Sequence, residues 1–146
     1  MRSAAALAGG VAVWWARRAL VTIAVAGRSM WPALAPGDWL VVRRRSMSRD
    51  RRAVGRVVCL RAPDGRMLVK RIAAAPGDAY PLSDEVLRSE VLGSDEYFVL
   101  GDCVEASTDS RQFGPVPAAR IEGVAWLRYW PPGRIGRVAR LRAGEW

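Results

Sequence analysis

The sequence predicts a mainly β protein, a small coiled β-sheet or barrel preceded by a short apolar segment of helical character. Three observations carry this expectation. Past residue 18 the apolar residues fall in short runs rich in Val, Ile and Leu. Those runs are punctuated by Pro36-Gly37-Asp38, Pro63-Asp64-Gly65, Pro76-Gly77-Asp78 and Gly101-Asp102, all turn-forming combinations. The chain has 146 residues, the size of one domain, so the runs must share one core.

Taken in order, the first element is the run Ala4 to Ala16, with Arg2 before it and Arg17-Arg18 after it. As a helix it would reach only about 20 Å at ~1.5 Å per residue, short of a ~30 Å hydrocarbon core. Trp14 and Trp15 suit a membrane interface, so residues 1–18 are expected to be a short anchor-like segment. The two arginines after the run argue for retention of the body on the inner side. Ala24-Val25-Ala26 has the form of a cleavage site, but cutting there would remove a strand.

The candidate strands are Leu20–Ala26, Trp39–Arg43, Arg56–Arg61, Met67–Ile72, Tyr97–Leu100 and Gly123–Tyr129. In the first, Val21, Ile23 and Val25 face opposite to Leu20, Thr22 and Ala24. The long connection Ala79 to Asp95 carries a short apolar pattern at Val86, Leu87, Val91 and Leu92. Residues 19–131 are expected to form the β-domain, and 132–146 a basic tail, either a short helix or a frayed end.

Composition excludes whole classes of chemistry. There is no histidine, which removes Ser-His-Asp and Cys-His catalysis, His-ligated metals and His-based pH switches. The two cysteines, Cys59 in an apolar run and Cys103 in a loop, make no metal site by themselves, and no metal or cofactor is expected. The net charge of +9 favours anionic partners, but the arginines are scattered, as codon bias would scatter them. The dense cluster Arg43-Arg44-Arg45 with Arg49, Arg51 and Arg52 reads as a solvated loop, or as a surface touching lipid phosphates. A basic β-barrel binding nucleic acid would need exposed aromatics interleaved with arginine. Trp126, Tyr129 and Trp130 around Arg128 offer that pattern, though core or membrane-rim packing explains them as well, and no nucleic-acid partner is expected.

Twenty-two of the basic residues are arginine and one, Lys70, is lysine. Solvation or a salt bridge would accept arginine equally. A buried lysine differs in that it can lose its proton and serve as a general base. Lys70 stands inside the apolar run Met67 to Ile72. The matching nucleophile is Ser29 in Gly27-Arg28-Ser29-Met30-Trp31-Pro32, where the first strand breaks into a loop that can expose a side chain. A serine before proline is also an ordinary turn residue.

Three stretches, GRSMWPALAPGDWLVV, MLVKRIAAAPGD and YFVLGDCVEASTDSRQFGPVP, resemble in order and spacing the signature boxes of the type I signal peptidases, which are Ser-Lys peptidases. The resemblance implies Ser29 as nucleophile and Lys70 as general base. It implies Ser107 as the hydroxyl orienting the lysine amine, and Asp109 with Arg111 as an ion pair behind the site. It implies a precursor polypeptide as substrate, cut after small residues, and Val25, Met30, Leu34 and Val69 as the lining of shallow apolar pockets. Membrane association, with the catalytic domain outside the cytoplasm, follows from the same resemblance. The departures are Ala33 where the family usually has threonine, Cys103-Val104 where it usually has Asn-Arg, and Gly27 where some members carry a hydroxyl that assists the oxyanion hole. A dedicated maturation protease of the same fold would read the same way.

Overall fold

The computed structural model describes residues 19–81, 89–142 and 145. The apolar segment with Trp14 and Trp15, and Val86 and Leu87 of the long connection, lie outside the described residues. The strands are β1 (Leu20–Ala24), β2 (Trp39–Arg43), β3 (Val57–Arg61), β4 (Met67–Ala74), β5 (Ala79–Pro81), β6 (Ser89–Val91), β7 (Glu96–Leu100), β8 (Val116–Pro117), β9 (Ile121–Trp130) and β10 (Gly136–Arg137). Among the described residues one short α-helix, α1, spans Ser110–Phe113. No helix among the described residues is long and apolar enough to cross a membrane.

The main sheet is antiparallel, in the order β1-β2-β9-β3-β4-β7-β8, with β10 also on β9. It curls strongly into a half-barrel. The register shifts at Trp39/Leu40, Val41/Val42, Cys59/Leu60 and Ile72/Ala74 account for the curl, because each bulge bends its strand and adds right-handed twist. β9 is the common strand. Its first half pairs with β3, and its second half pairs with β2 and β10.

The sheet is covered on both faces. Alternate residues of β3 supply two separate clusters: Val58 and Leu60 pack with Ile72, Tyr97, Val99 and Ile121, while Val57 and Cys59 pack with Val25, Met30, Leu34 and Leu40. This is why β3 reads as a continuous apolar run rather than an alternating one. A third cluster of Ala74, Tyr80, Leu92 and Phe98 seats the β5–β6 hairpin, with the Tyr80 and Phe98 rings 5.0 Å apart.

The six strands expected from sequence all form, with ends moved by one or two residues. β1 stops at Ala24 because the Val25 N–H turns to the Asp38 carbonyl at 2.8 Å, and Gly37 returns a bond to Val25 at 2.8 Å. β5, β6, β8 and β10 are two- or three-residue strands with no periodicity of their own. In the long connection Leu92 is core, whereas Val91 is 68% exposed. The arginine loop is tied down by the Tyr97 hydroxyl, which donates to the Met47 carbonyl and accepts from the Asp50 N–H at 2.8 Å.

The basic C-terminal segment is part of the fold as far as residue 142. After a turn at Pro132–Arg134, β10 pairs with β9, and the chain continues as a strap. Val138 N–H donates to the Trp126 carbonyl at 3.1 Å, and Leu141 N–H to Gly55 at 3.2 Å. Gly55 permits this crossing. Its φ is +83°, and a β-carbon there would stand 1.7 Å from the Leu141 carbonyl oxygen.

Candidate active site

Ser29 lies in the loop between β1 and β2, at the start of a single helical turn closed by Leu34 N–H to the Met30 carbonyl at 2.8 Å. Met30 and Leu34 are one turn apart, so they share a face, and both are 1% exposed in the second cluster. That apolar face fixes the turn and leaves Ser29 half-buried at the surface. The far end of the loop is held by Asp38, 1% exposed, whose carboxylate accepts from Ala35 N–H, Arg128 and Arg134. Arg128 also donates to the Ala33 carbonyl at 3.0 Å.

Lys70 sits on β4 opposite Val58 and is 3% exposed. Burial pushes its pKa down from the usual lysine range. Asp109 and Asp102 oppose that shift, while Arg111 and Arg66 add to it. Among the described residues no carboxylate lies within ion-pairing distance of its amine.

The segment after β7 joins the two sides. Arg71 pairs with Leu100 in the antiparallel ladder, so one step further along the register Gly101 comes beside Lys70. Gly101 N–H donates to Asp109 Oδ2 at 2.9 Å. Asp102 accepts both Arg71 Nε (2.8 Å) and Nη2 (2.7 Å). Cys103 N–H donates to the Ser29 carbonyl at 2.9 Å. Gly101 is required here. A β-carbon on it would lie 2.2 Å from Ser107 Oγ and 2.6 Å from the Ser29 carbonyl oxygen.

Asp109 is the most heavily hydrogen-bonded group of the region. It accepts from Gly101 N–H, from Ser107 Oγ at 2.6 Å, and from the Arg111 side chain at 2.6 and 2.9 Å, and it caps α1. Burial alone would raise its pKa, but the bonds from Arg111, Ser107 and the main-chain N–H groups of Gly101 and Arg111 outweigh it and hold the carboxyl at about 2. The Ser107 hydroxyl therefore spends its proton on Asp109, and its lone pairs remain available to a donor.

The structure thus gathers Ser29, Gly101, Ser107, Asp109 and Arg111 around the end of β7, with Lys70 on the neighbouring strand. Of the four residues expected to line pockets, Val25, Met30 and Leu34 are core, and Val69 packs against them half-buried. A cavity of about 220 Å³ opens beside them, lined by Val21, Ile23, Val42, Cys59 and Met67 among others. Burial raises the Cys59 thiol to about 11, with Glu122 adding and Arg61 opposing, and the two cysteines are not bridged. No group of three potential metal ligands occurs among the described residues.

Sequence reading missed the roles of Arg71, Asp102 and Asp38. The signal was present for Arg71: an arginine inside an apolar strand needs a carboxylate, and the next acidic residue beyond the paired strand is Asp102. Arg71 also donates to the Gly55 and Ala139 carbonyls at 2.8 and 2.9 Å, so it bolts the C-terminal strap to the same loop.

The fold and its similarities define a serine peptidase. The family model described as "Signal peptidase, peptidase S26" matches residues 2–88 and 82–130, and the chain belongs to that family. It is 39% identical over 130 residues to the mitochondrial ATP-independent inner membrane protease subunit 1a of Arabidopsis thaliana, covering 84% of this chain and 77% of the relative. It is 30% identical over 124 residues to the mitochondrial inner membrane protease subunit 1 of Xenopus tropicalis (82% and 74%), and 29% identical over 139 residues to a probable signal peptidase I-1 of Synechocystis (75% and 71%).

Proposed function

We propose that this peptidase uses Ser29 as nucleophile and Lys70 as general base to remove leader segments from precursor polypeptides at a membrane surface. The observation that carries the reading is the burial of the chain's one lysine, which favours the neutral amine, on the strand next to the loop that is hydrogen-bonded to Ser29.

In this reading Lys70 takes the Ser29 Oγ proton as the oxygen attacks a peptide carbonyl. The oxyanion is held by main-chain donors. Among the described residues the Ser29 N–H makes no main-chain hydrogen bond, and a β-carbon on Gly27 would have no neighbour within 4 Å. Collapse of the intermediate breaks the peptide bond, and the Lys70 ammonium gives its proton to the leaving amine. Lys70 then activates water to hydrolyse the ester on Ser29. Ser107 orients the amine, and Asp109 with Arg111 holds Ser107 and Gly101 in place.

Among the described residues two backbone edges are free, and both favour an extended substrate. β1 ends the sheet, and β7 pairs with β4 only from Arg71 onward, which leaves Met67 to Lys70 unpaired on that side. A substrate strand can add to both edges and reach Ser29. Val69 borders its path, with Val25, Met30 and Leu34 as the packed floor beneath.

The test is cleavage of a synthetic precursor peptide with alanine at the first and third positions before the junction. A single cut after the first of these, abolished in Ser29→Ala, supports the reading. Equal cleavage by the Ser29→Ala protein overturns it.

A further inference from the structure

A cavity of about 220 Å³ lies between the start of β3, β9 and the C-terminal strap. Arg56, Arg137 and Arg140 line it, with Trp126 and Val138 as apolar walls, and no acidic side chain is among the lining residues. Arg43 stands over the Trp126 ring at 5.4 Å and adds a fourth positive charge to the neighbourhood. Among the described residues none of the three lining arginines has a carboxylate partner. Arg140 spends only its Nε, on the Val54 carbonyl. Among the described residues Arg56 Nε is buried and has no hydrogen-bond partner. A buried donor left unpaired is costly, and three guanidinium groups around one hollow repel each other.

We propose that this hollow is an anion site that takes a tetrahedral phosphate group, monoester or diester. Phosphate offers several strongly accepting oxygens, matches the forked donors of arginine and relieves the repulsion among the three guanidinium groups. Chain geometry holds the arginines there in its absence: Arg56 leads into β3, Arg137 is paired with Leu127, and Arg140 rides on the strap. The same chemistry is carried by free phosphate and by the headgroup of an anionic phospholipid.

The experiment compares the full chain with a pocket variant, R56Q/R137Q/R140Q, and a charge-matched control, R61Q/R66Q/R120Q, whose exposed arginines lie elsewhere. Inorganic phosphate is titrated at constant ionic strength against chloride, with melting temperature and calorimetric binding as readouts. Flotation with vesicles of phosphatidylcholine, alone or with phosphatidylglycerol, is measured in parallel. The wild type and the control are expected to bind in at least one arm, and the pocket variant to lose roughly tenfold or more in affinity there. Saturable binding of free phosphate identifies a small-anion site. Binding only to phosphatidylglycerol vesicles identifies a lipid headgroup site. Equal loss in pocket and control variants, or no binding by the wild type in either arm, overturns the proposal. If the triple pocket variant fails to fold, R137Q alone carries the comparison, since Arg137 is exposed and its side chain makes no hydrogen bond among the described residues. Unchanged affinity in a folded R137Q then counts against the site.

Discussion

The carbonyl oxygen of Ser29 accepts a 2.9 Å hydrogen bond from the main-chain N–H of Cys103. This bond ties the loop after β1 to the segment after β7, far away in sequence. The intervening residue Asp102 is gripped by Arg71, the neighbour of Lys70. Ser29 and Lys70 are therefore positioned by one continuous set of main-chain and ionic contacts.

Asp102→Asn tests that linkage. The Arg71 side chain is 2% exposed, and its charge would be left with only carbonyl partners. Removing one member of a buried pair costs about 3–5 kcal/mol. Urea unfolding is expected to show a loss in that range, together with slower cleavage because the 101–103 segment loses its anchor. A loss under about 1 kcal/mol would show that the pair holds nothing in place.

Asp109 should make the fold acid-sensitive within a defined window. Its folded pKa of about 2 lies below the usual 3.8, so its contribution is present above about pH 4 and disappears as the pH falls toward 2. A shift of this size corresponds to about 2 kcal/mol. Asp109→Asn should flatten the acid limb of the stability curve. Asp109→Ala and Arg111→Ala should lower the melting temperature more than Ser107→Ala, which should slow cleavage while leaving the melt nearly unchanged. The reverse ordering in melts and rates would exchange the structural and catalytic assignments.

The pH-rate profile should follow Lys70. Burial lowers its pKa, and the base must be neutral to act, so kcat/KM is expected to rise with pH through the depressed value and to be lost at acid pH. A profile flat from about pH 5 to 9 would argue against an amine base.

Much of this was legible in the sequence for identifiable reasons. Apolar runs bounded by Pro-Gly-Asp turns gave the long strands, and an isolated lysine in an apolar run pointed to its burial. The short strands β8 and β10 were not legible, because two residues carry no period and pairing to a longer strand alone defines them. Arg71 and Asp102 were hidden for a different reason. The turn Gly101-Asp102 looked self-sufficient, and only the folded register brings its carboxylate to β4. The burial of Met30 and Leu34 follows from the helical turn after Ser29, whose i, i+4 spacing turns both inward. The strap was missed because Arg137, Arg140 and Arg142 disguise a segment fixed mainly by its backbone.

The most direct measurement is the single-turnover cleavage rate of Lys70→Arg on the precursor peptide, with folding verified by thermal melt. Arginine keeps the positive charge and similar length but cannot release its proton in a protein. The Ser-Lys assignment predicts a folded protein with cleavage reduced to background at every pH. Substantial cleavage by folded Lys70→Arg would contradict it and place the general base elsewhere.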